Sequence, residues 1–209
     1  TNTDYAYYLL ALCHYNLIVD EKKDFNEIKL AKKYFQYIIK NYPNTEYAID
    51  SKFKLELIIE ISAFSQPVKY EVNKDTSLLT VDRFLQTAMV YPCNYGYVPQ
   101  TLCDDGDPLD VLVITPHPVQ AGAMMESRPI GMLAMTDEAG VDFKVLAVPT
   151  SKLCPMYDHI KTASDLSNVI LSSIEHFFQH YKDLDSGKWV KIDGWEQVDA
   201  AKVAVQNAI

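Results

Sequence analysis

Apolar residues recur at three- and four-residue steps through the first fifty positions of the chain, and at alternate or continuous positions afterwards. Ile28, Ala31, Phe35, Ile38, Ile39 and Tyr42 form one stripe with lysines opposite, which predicts an amphipathic helix. Pro43-Asn44-Thr45 stops that helix and offers caps for the next. Tyr5, Tyr8, Leu9, Leu12 and Tyr15 make a similar stripe before it, so three short helices without glycine predict an antiparallel helical repeat. The texture then changes. Short apolar runs at 111–114, 130–135 and 145–148 lie between Gly, Pro and Asp turns, as in a β-sheet or barrel. Leu166, Val169, Ile170, Ile174, Phe177, Phe178 and Tyr181 predict one late helix, and another is expected from Glu196 onward. Phe53, Leu55, Leu57, Ile59 and Ile61 alternate like a strand in a context that is otherwise helical.

Composition sharpens the division. The 209 residues carry a net charge of −9, with 48% hydrophobic and 22% charged positions, which suits a core-forming chain. Residues 1–57 are neutral, lack glycine and hold eight of the fourteen tyrosines; the whole −9 falls in 58–209, with all seven glycines. A domain boundary is therefore expected near 57/58. The acidic balance argues against nucleic acid and against anionic membrane surfaces, which require a basic face. His14 and Asn16 break the best candidate for a membrane span. No charged-then-apolar signal opens the chain, which begins at Thr1, so the natural N-terminus is expected to lie upstream. Four cysteines without paired spacing point to a reducing compartment, and the expected location is cytoplasmic.

The segment Asp104-Asp105-Gly106-Asp107-Pro108-Leu109-Asp110 places four carboxylates in seven residues ahead of a strand. Such a cluster is either a solvated acidic turn or a cation site. Gly106 permits a tight turn and Pro108 restrains the backbone. An EF-hand is excluded, because its glycine and bidentate Glu positions do not match and a strand follows. Asp137-Glu138-Ala139-Gly140-Val141-Asp142-Phe143-Lys144 reads as a hairpin tip, with Asp142 and Lys144 on one strand face. Lys69 and Glu71 repeat that pairing of opposite charges. Alone, each pair is a surface ladder of charges. Together they suggest one site, in which Glu60, Glu71, Asp105, Asp107, Asp110, Asp137 and Asp142 oppose Lys69, Arg83, Lys144 and Lys182. Aspartates without His or Cys select a hard cation such as Mg²⁺, and adjacent lysines suit an anionic substrate, with phosphate the obvious candidate.

From Ile58 to Ile209 the chain closely resembles the soluble bacterial family I inorganic pyrophosphatases. Residues 105–111 fit that family's signature heptapeptide without mismatch, supported by Lys69-Tyr70-Glu71, Asp82-Arg83-Phe84, residues 91–97, Met135-Thr136-Asp137-Glu138 and His180-Tyr181-Lys182. The resemblance implies an α+β fold with a five-stranded OB-like β-barrel and flanking helices, Mg²⁺ dependence, and hydrolysis of inorganic diphosphate to two phosphates. It implies Asp105, Asp110, Asp137 and Asp142 as metal ligands and Asp107 as general base. Lys69, Arg83, Tyr95, Lys144, Tyr181 and Lys182 match phosphate-binding positions, while Glu60, Glu71 and Tyr91 match supporting ones. It further implies a homo-oligomer, usually a hexamer, using the late helix as a subunit contact.

Residues 2–57 are similar to something else. Ala31, Phe35, Ile38 and Pro43 have the spacing of the second helix of a tetratricopeptide repeat, and residues 42–48 resemble repeats of the outer-membrane β-barrel assembly lipoproteins. In that family such repeats dock proteins, so a protein partner of this short all-α segment is implied. The lipid-anchoring cysteine signal of that family is absent here, so membrane attachment is not expected. The chain therefore reads as a hybrid, with the helix-and-strand opening of a pyrophosphatase replaced. The alternative reading is a non-catalytic helical-repeat scaffold fused to an inactive pyrophosphatase-like barrel. A nucleotide or other phosphate ester is a weaker substrate reading, since no Gly-rich phosphate loop is present. His176 and His180 lie four apart but lack the zinc-protease Glu. Cys93, Cys103, Trp189 and Trp195 read as core residues, and Tyr5, Tyr7, Tyr8 and Tyr15 as packing between helices.

Overall fold

Residues 3–16, 25–42, 55–73, 76, 78–103 and 106–208 are described in the computed structural model. Two units result, Thr1–Lys54 and Leu55–Ile209, with the division three residues ahead of the seam expected from composition. The shift has a simple cause: Leu55 and Leu57 already alternate inward as part of the first strand.

In the first unit, α1 (Thr3–Asn16) and α2 (Phe25–Asn41) pack on one another. Of the α2 stripe, Ala31 and Ile38 are buried and Phe35 and Tyr42 half-buried, while the side chains of Ile28 and Ile39 lie outside the described residues. The α1 stripe faces inward only in part. Ala11 is fully buried, while Tyr5 and Leu9 are exposed. Tyr8 of the stripe meets Phe35, and Tyr7 and His14, outside it, also turn toward α2, with Tyr7 4.3 Å from Tyr37 and His14 stacked on Tyr34 at 5.5 Å between ring centroids. Apolar residues surround α1, so periodicity alone could not choose its inward face. Pro43-Asn44-Thr45 and the expected third helix lie outside the described residues.

The second unit is built on β1 (Leu55–Ile61), β4 (Asn94–Val98), β5 (Leu109–Val113), β6 (Met124–Asp137), β7 (Gly140–Pro149) and β8 (Val190–Glu196). β2 (Val68–Val72) and β3 (Leu79–Phe84) form a separate two-stranded sheet. Helices α3 (Asn168–His180) and α4 (Val198–Ala208) complete it. The six-stranded sheet runs β1-β4-β5-β7-β6-β8, and β6 also pairs with β1. Five strands thus close a circuit of pairings and β8 is attached to it through β6. The β5–β7 pair is parallel and the others are antiparallel.

Alternation along the strands divides two apolar clusters. Leu57, Ile59, Leu109, Val111, Val113, Val145 and Ala147 pack with Ala201, Val205 and Ala208 of α4. Leu112, Leu133, Met135, Leu146 and Val148 pack with Ile174, Phe177 and Phe178 of α3. Each Leu or Ile buried this way contributes about 1.5–3 kcal/mol. Val169 belongs to the expected α3 stripe yet is 78% exposed, because it falls on the far side of the helix from Ile174, Phe177 and Phe178. Trp195 packs against the α3 cluster, whereas Trp189, also expected in the core, is 50% exposed. It stands before β8 begins, outside the pleat that aims Trp195 inward.

A register shift between Ile59 and Ile61 makes Glu60 the extra residue of a bulge against β4. The bulge lets Ile59 join one cluster and Ile61 the other, although simple alternation would put both on one face. Gly96 faces that bulge. A Cβ there would stand 1.9 Å from the Ile58 carbonyl oxygen and 2.9 Å from the Ile59 Cα. Gly96→Ala is therefore expected to cost more than about 4 kcal/mol, the range reached when backbone must move; urea unfolding of the two proteins measures it, and equal midpoints would contradict the close approach.

Candidate active site

The strand face that packs on α3 continues past its apolar residues into charged ones. Asp110 precedes Leu112, Asp142 and Lys144 precede Leu146, and Asp137 follows Met135, each two residues along a pleat. Val111 pairs with Val145 in the parallel β5–β7 ladder, so the residues just before them, Asp110 and Lys144, lie side by side. The Lys144 ammonium donates to Asp110 Oδ2 at 2.6 Å and to Asp142 Oδ2 at 3.1 Å. Lys144 is only 4% exposed and sits 5.6 Å from the Tyr95 ring centroid and 5.8 Å from that of Phe178.

The rest of the site arrives from other segments. Lys182, just beyond α3, donates to Asp137 Oδ2 at 2.8 Å and lies 3.6 Å from Glu138 Oε1. Glu138 and Ala139 form the two-residue loop between β6 and β7, and Ala139 N–H donates to Asp137 Oδ1 at 2.8 Å. On β2, Lys69 donates to Glu71 and lies 3.4 Å from Asp82. Glu60 accepts from the Val72 N–H at 2.7 Å, which ties the β1 bulge to β2. Tyr91 contacts Tyr95 at 5.4 Å and Phe177 at 4.5 Å, and Tyr181 stacks on Phe177 at 5.2 Å.

One cleft of about 370 Å³ is lined by Glu60, Lys69, Glu71, Arg83, Tyr91, Tyr95, Asp107, Asp110, Asp137, Asp142, Lys144, Tyr181 and Lys182. These are the residues singled out in the sequence, apart from Asp105, which lies outside the described residues. The sequence reading missed Tyr97, Val141 and Phe178, which also line it. Tyr97 was findable, since it shares the Tyr95 strand face; Phe178 was read only as core. His176 and His180 lie apart from this cleft, their rings 4.8 Å apart, with His180 Nδ1 2.8 Å from Asp183 Oδ2. Cys93 is core, its thiol pushed up to about 12 by burial, whereas Cys103 is only half-buried beside the α4 cluster.

Charge is unbalanced here. Burial alone would lower the Lys144 pKa, but Asp110 and Asp142 outweigh it and raise it. A carboxyl paired with lysine normally falls, yet Asp142 is raised, because burial and the nearby Asp110 charge exceed what a shared Lys144 returns. One ammonium between two half-buried carboxylates leaves one negative charge unpaired. Asp137, bonded to Lys182 and to the Ala139 N–H, is lowered despite partial burial. The Tyr95 and Tyr91 phenols are held protonated, in each case chiefly by burial. Among the described residues, six carboxylates face four basic side chains across the cleft. Among those residues no three His, Cys, Asp or Glu side chains already stand in ligating geometry. The donor set, carboxylates without imidazole or thiolate, is nevertheless that of a hard cation.

A model of the family described as inorganic pyrophosphatase matches residues 57–209. The inorganic pyrophosphatase of Yersinia pestis is 57% identical over 152 residues, 73% of this chain and 87% of that protein. The chain belongs to the inorganic pyrophosphatase family. The pyrophosphatase structure from Coxiella burnetii superposes with a TM-score of 0.74 at 52% identity, covering 76% of this chain and 94% of that one. That from Thermus thermophilus superposes at 0.70 and 39% identity, covering 74% and 88%. A second family model, described as an outer membrane lipoprotein, matches residues 1–91 and so overlaps the start of the pyrophosphatase match. Among the described residues no helix is long and apolar enough to cross a membrane.

Glu60 offers a test of the cleft's electrostatics. Burial, opposed by the Val72 hydrogen bond, raises its carboxyl from 4.5 to about 7. The folded value exceeds the unfolded one, so protonated Glu60 favours folding; that contribution is whole below pH 4.5 and is lost as pH rises through about 7. Glu60→Gln keeps the acceptor for Val72 without the charge. Urea unfolding of metal-free protein is expected to show Glu60→Gln gaining stability over the natural chain from pH 5 to pH 8, and a pH-independent difference would contradict this.

Proposed function

We propose that the cleft hydrolyses inorganic diphosphate to two phosphates with the aid of Mg²⁺. The observation that carries this is the Lys144 ammonium shared by Asp110 and Asp142, in a chain of the pyrophosphatase family. An acidic cleft would repel a diphosphate, so the excess carboxylates must meet cations before the substrate can enter. Asp105, Asp110, Asp137 and Asp142 are the proposed ligands, with Glu60 and Glu71 supporting, and the carboxylate-only donor set favours Mg²⁺. When bound, Mg²⁺ would neutralise these carboxylates and acidify a coordinated water.

The chain's own groups do the remainder. Lys69, Arg83, Lys144 and Lys182, with the phenols of Tyr95 and Tyr181, donate to phosphoryl oxygens and stabilise charge on the leaving phosphate. Tyr91 holds the Tyr95 ring in place. Asp107 accepts the proton of the attacking water as its oxygen bonds to phosphorus and the bridging P–O bond breaks. Phosphate release from diphosphate tests the assignment: Asp107→Asn is expected to lower kcat by about 10²–10⁴-fold, and EDTA to abolish release until Mg²⁺ is restored. Full turnover by either the variant or the metal-free chain would overturn it.

The closed circuit of β1, β4, β5, β7 and β6 supports reading the sheet as an OB-like barrel. Family resemblance supports a cytoplasmic hexamer. The packed pair α1–α2 and the outer-membrane-lipoprotein match support reading the first unit as a tetratricopeptide-like docking segment that takes a protein partner. Deleting residues 1–50 is expected to leave diphosphate hydrolysis intact, and its loss would tie the segment to catalysis.

A further inference from the structure

The neck of the acidic loop holds a polar side chain that the catalytic reading leaves unused. Strand β4 ends at Val98 and β5 begins at Leu109, and these two residues are cross-strand partners. The buried Thr101 hydroxyl bridges their main chains. It donates to the Val98 carbonyl oxygen at 2.6 Å and accepts from the Leu109 N–H at 2.8 Å. Donating and accepting through one atom is what a hydroxyl can do and a methyl cannot. Leu109 has no exposed surface, so without the hydroxyl its N–H would stand in an apolar surrounding with no water at hand.

The loop beyond this clasp is braced by main-chain hydrogen bonds, within itself and to α4. Cys103 N–H donates to the Asp107 carbonyl oxygen at 2.8 Å, Gly106 N–H to Cys103 at 3.0 Å, and Leu102 N–H to Ala208, in the last turn of α4, at 2.8 Å. Asp107 sits inside the clasped loop, and Asp110 follows Leu109 directly. Both line the cleft. The direction of a strand side chain follows the pleat of its backbone, so the plane of the Leu109 peptide sets where the Asp110 carboxylate meets Lys144.

We propose that Thr101 is a positioning residue for the acidic loop: by clasping Val98 to Leu109 it aims the Asp107 and Asp110 carboxylates and so sets the affinity of the cleft for a divalent cation. This rests on the reading of the cleft as a Mg²⁺ site. Thr101 touches neither cation nor substrate; it acts through the backbone that carries the carboxylates.

Calorimetric Mg²⁺ titration of the full chain, together with phosphate release across a Mg²⁺ series, tests it. Thr101→Val removes the hydroxyl at nearly constant shape and is expected to weaken Mg²⁺ binding about tenfold. The half-saturating Mg²⁺ concentration rises by the same factor, and kcat at saturating Mg²⁺ falls as well, because the same clasp aims the Asp107 base. Thr101→Ser restores donor and acceptor and is expected to bind as the natural chain does. Should the valine variant fail to fold, Thr101→Ala makes the same comparison. Natural Mg²⁺ affinity in the variant lacking the hydroxyl, or a serine variant as weak as it, overturns the proposal. If the natural chain binds no Mg²⁺ by calorimetry, the metal reading itself falls and takes the proposal with it, an outcome distinct from a natural chain that binds beside variants that bind equally.

Discussion

A lysine with almost no exposed surface, held between two aspartates, is the constraint on which the cleft depends. Removing an ammonium from water costs several kcal/mol, so Lys144 can be buried only with Asp110 and Asp142 against it. The parallel β5–β7 register that aligns Val111 with Val145 brings Asp110 and Lys144 together. An aromatic floor of Tyr95 and Phe178 receives the same cation from below. Because the lysine serves two carboxylates, one negative charge remains, and the Asp142 carboxyl is raised by burial together with the Asp110 charge. A further cation would relieve that excess while the lysines still meet an incoming anion.

The cleft sits where one strand face runs out of apolar partners. Leu112, Leu146 and Met135 pack on α3, and the next inward positions of the same strands are Asp110, Lys144 and Asp137. Two connections bring the remaining groups to that edge. The Lys182–Asp137 pair anchors the end of α3 to the β6–β7 hairpin, and the Glu60–Val72 hydrogen bond draws the β2–β3 sheet toward the β1 bulge. One core thus stabilises the fold and positions most of the cleft, so substitutions beneath the cleft will disturb its chemistry as well as stability.

Family membership rests on residues 57–209, while the first unit answers to a different family model. The pyrophosphatase part begins at its first core strand, and the β1 pairings with β4 and β6 are formed in this chain. Sequence patterns were least informative where hydrophobicity lacked direction. In α1 apolar side chains lie all round the helix, and only contact with α2 selects Tyr7, Tyr8, Ala11 and His14 as the inward set. Val169 and Trp189 failed for a related reason: each is apolar, but its angular or pleat position faces away from the core.

The sequence by itself determined the long apolar strands, the late helices, the hairpin at Glu138-Ala139 and the charged groups that line the cleft, because period and side-chain chemistry are local properties. It could show that Asp142 and Lys144 share a face, as do Lys69 and Glu71. It could not show that Lys144 would choose Asp110 as well, that Lys182 would cross to Asp137, or that a bulge at Glu60 would send Ile59 and Ile61 into different clusters. Those outcomes depend on register between strands distant in the chain, and register is settled only when both faces of the sheet find their packing partners together.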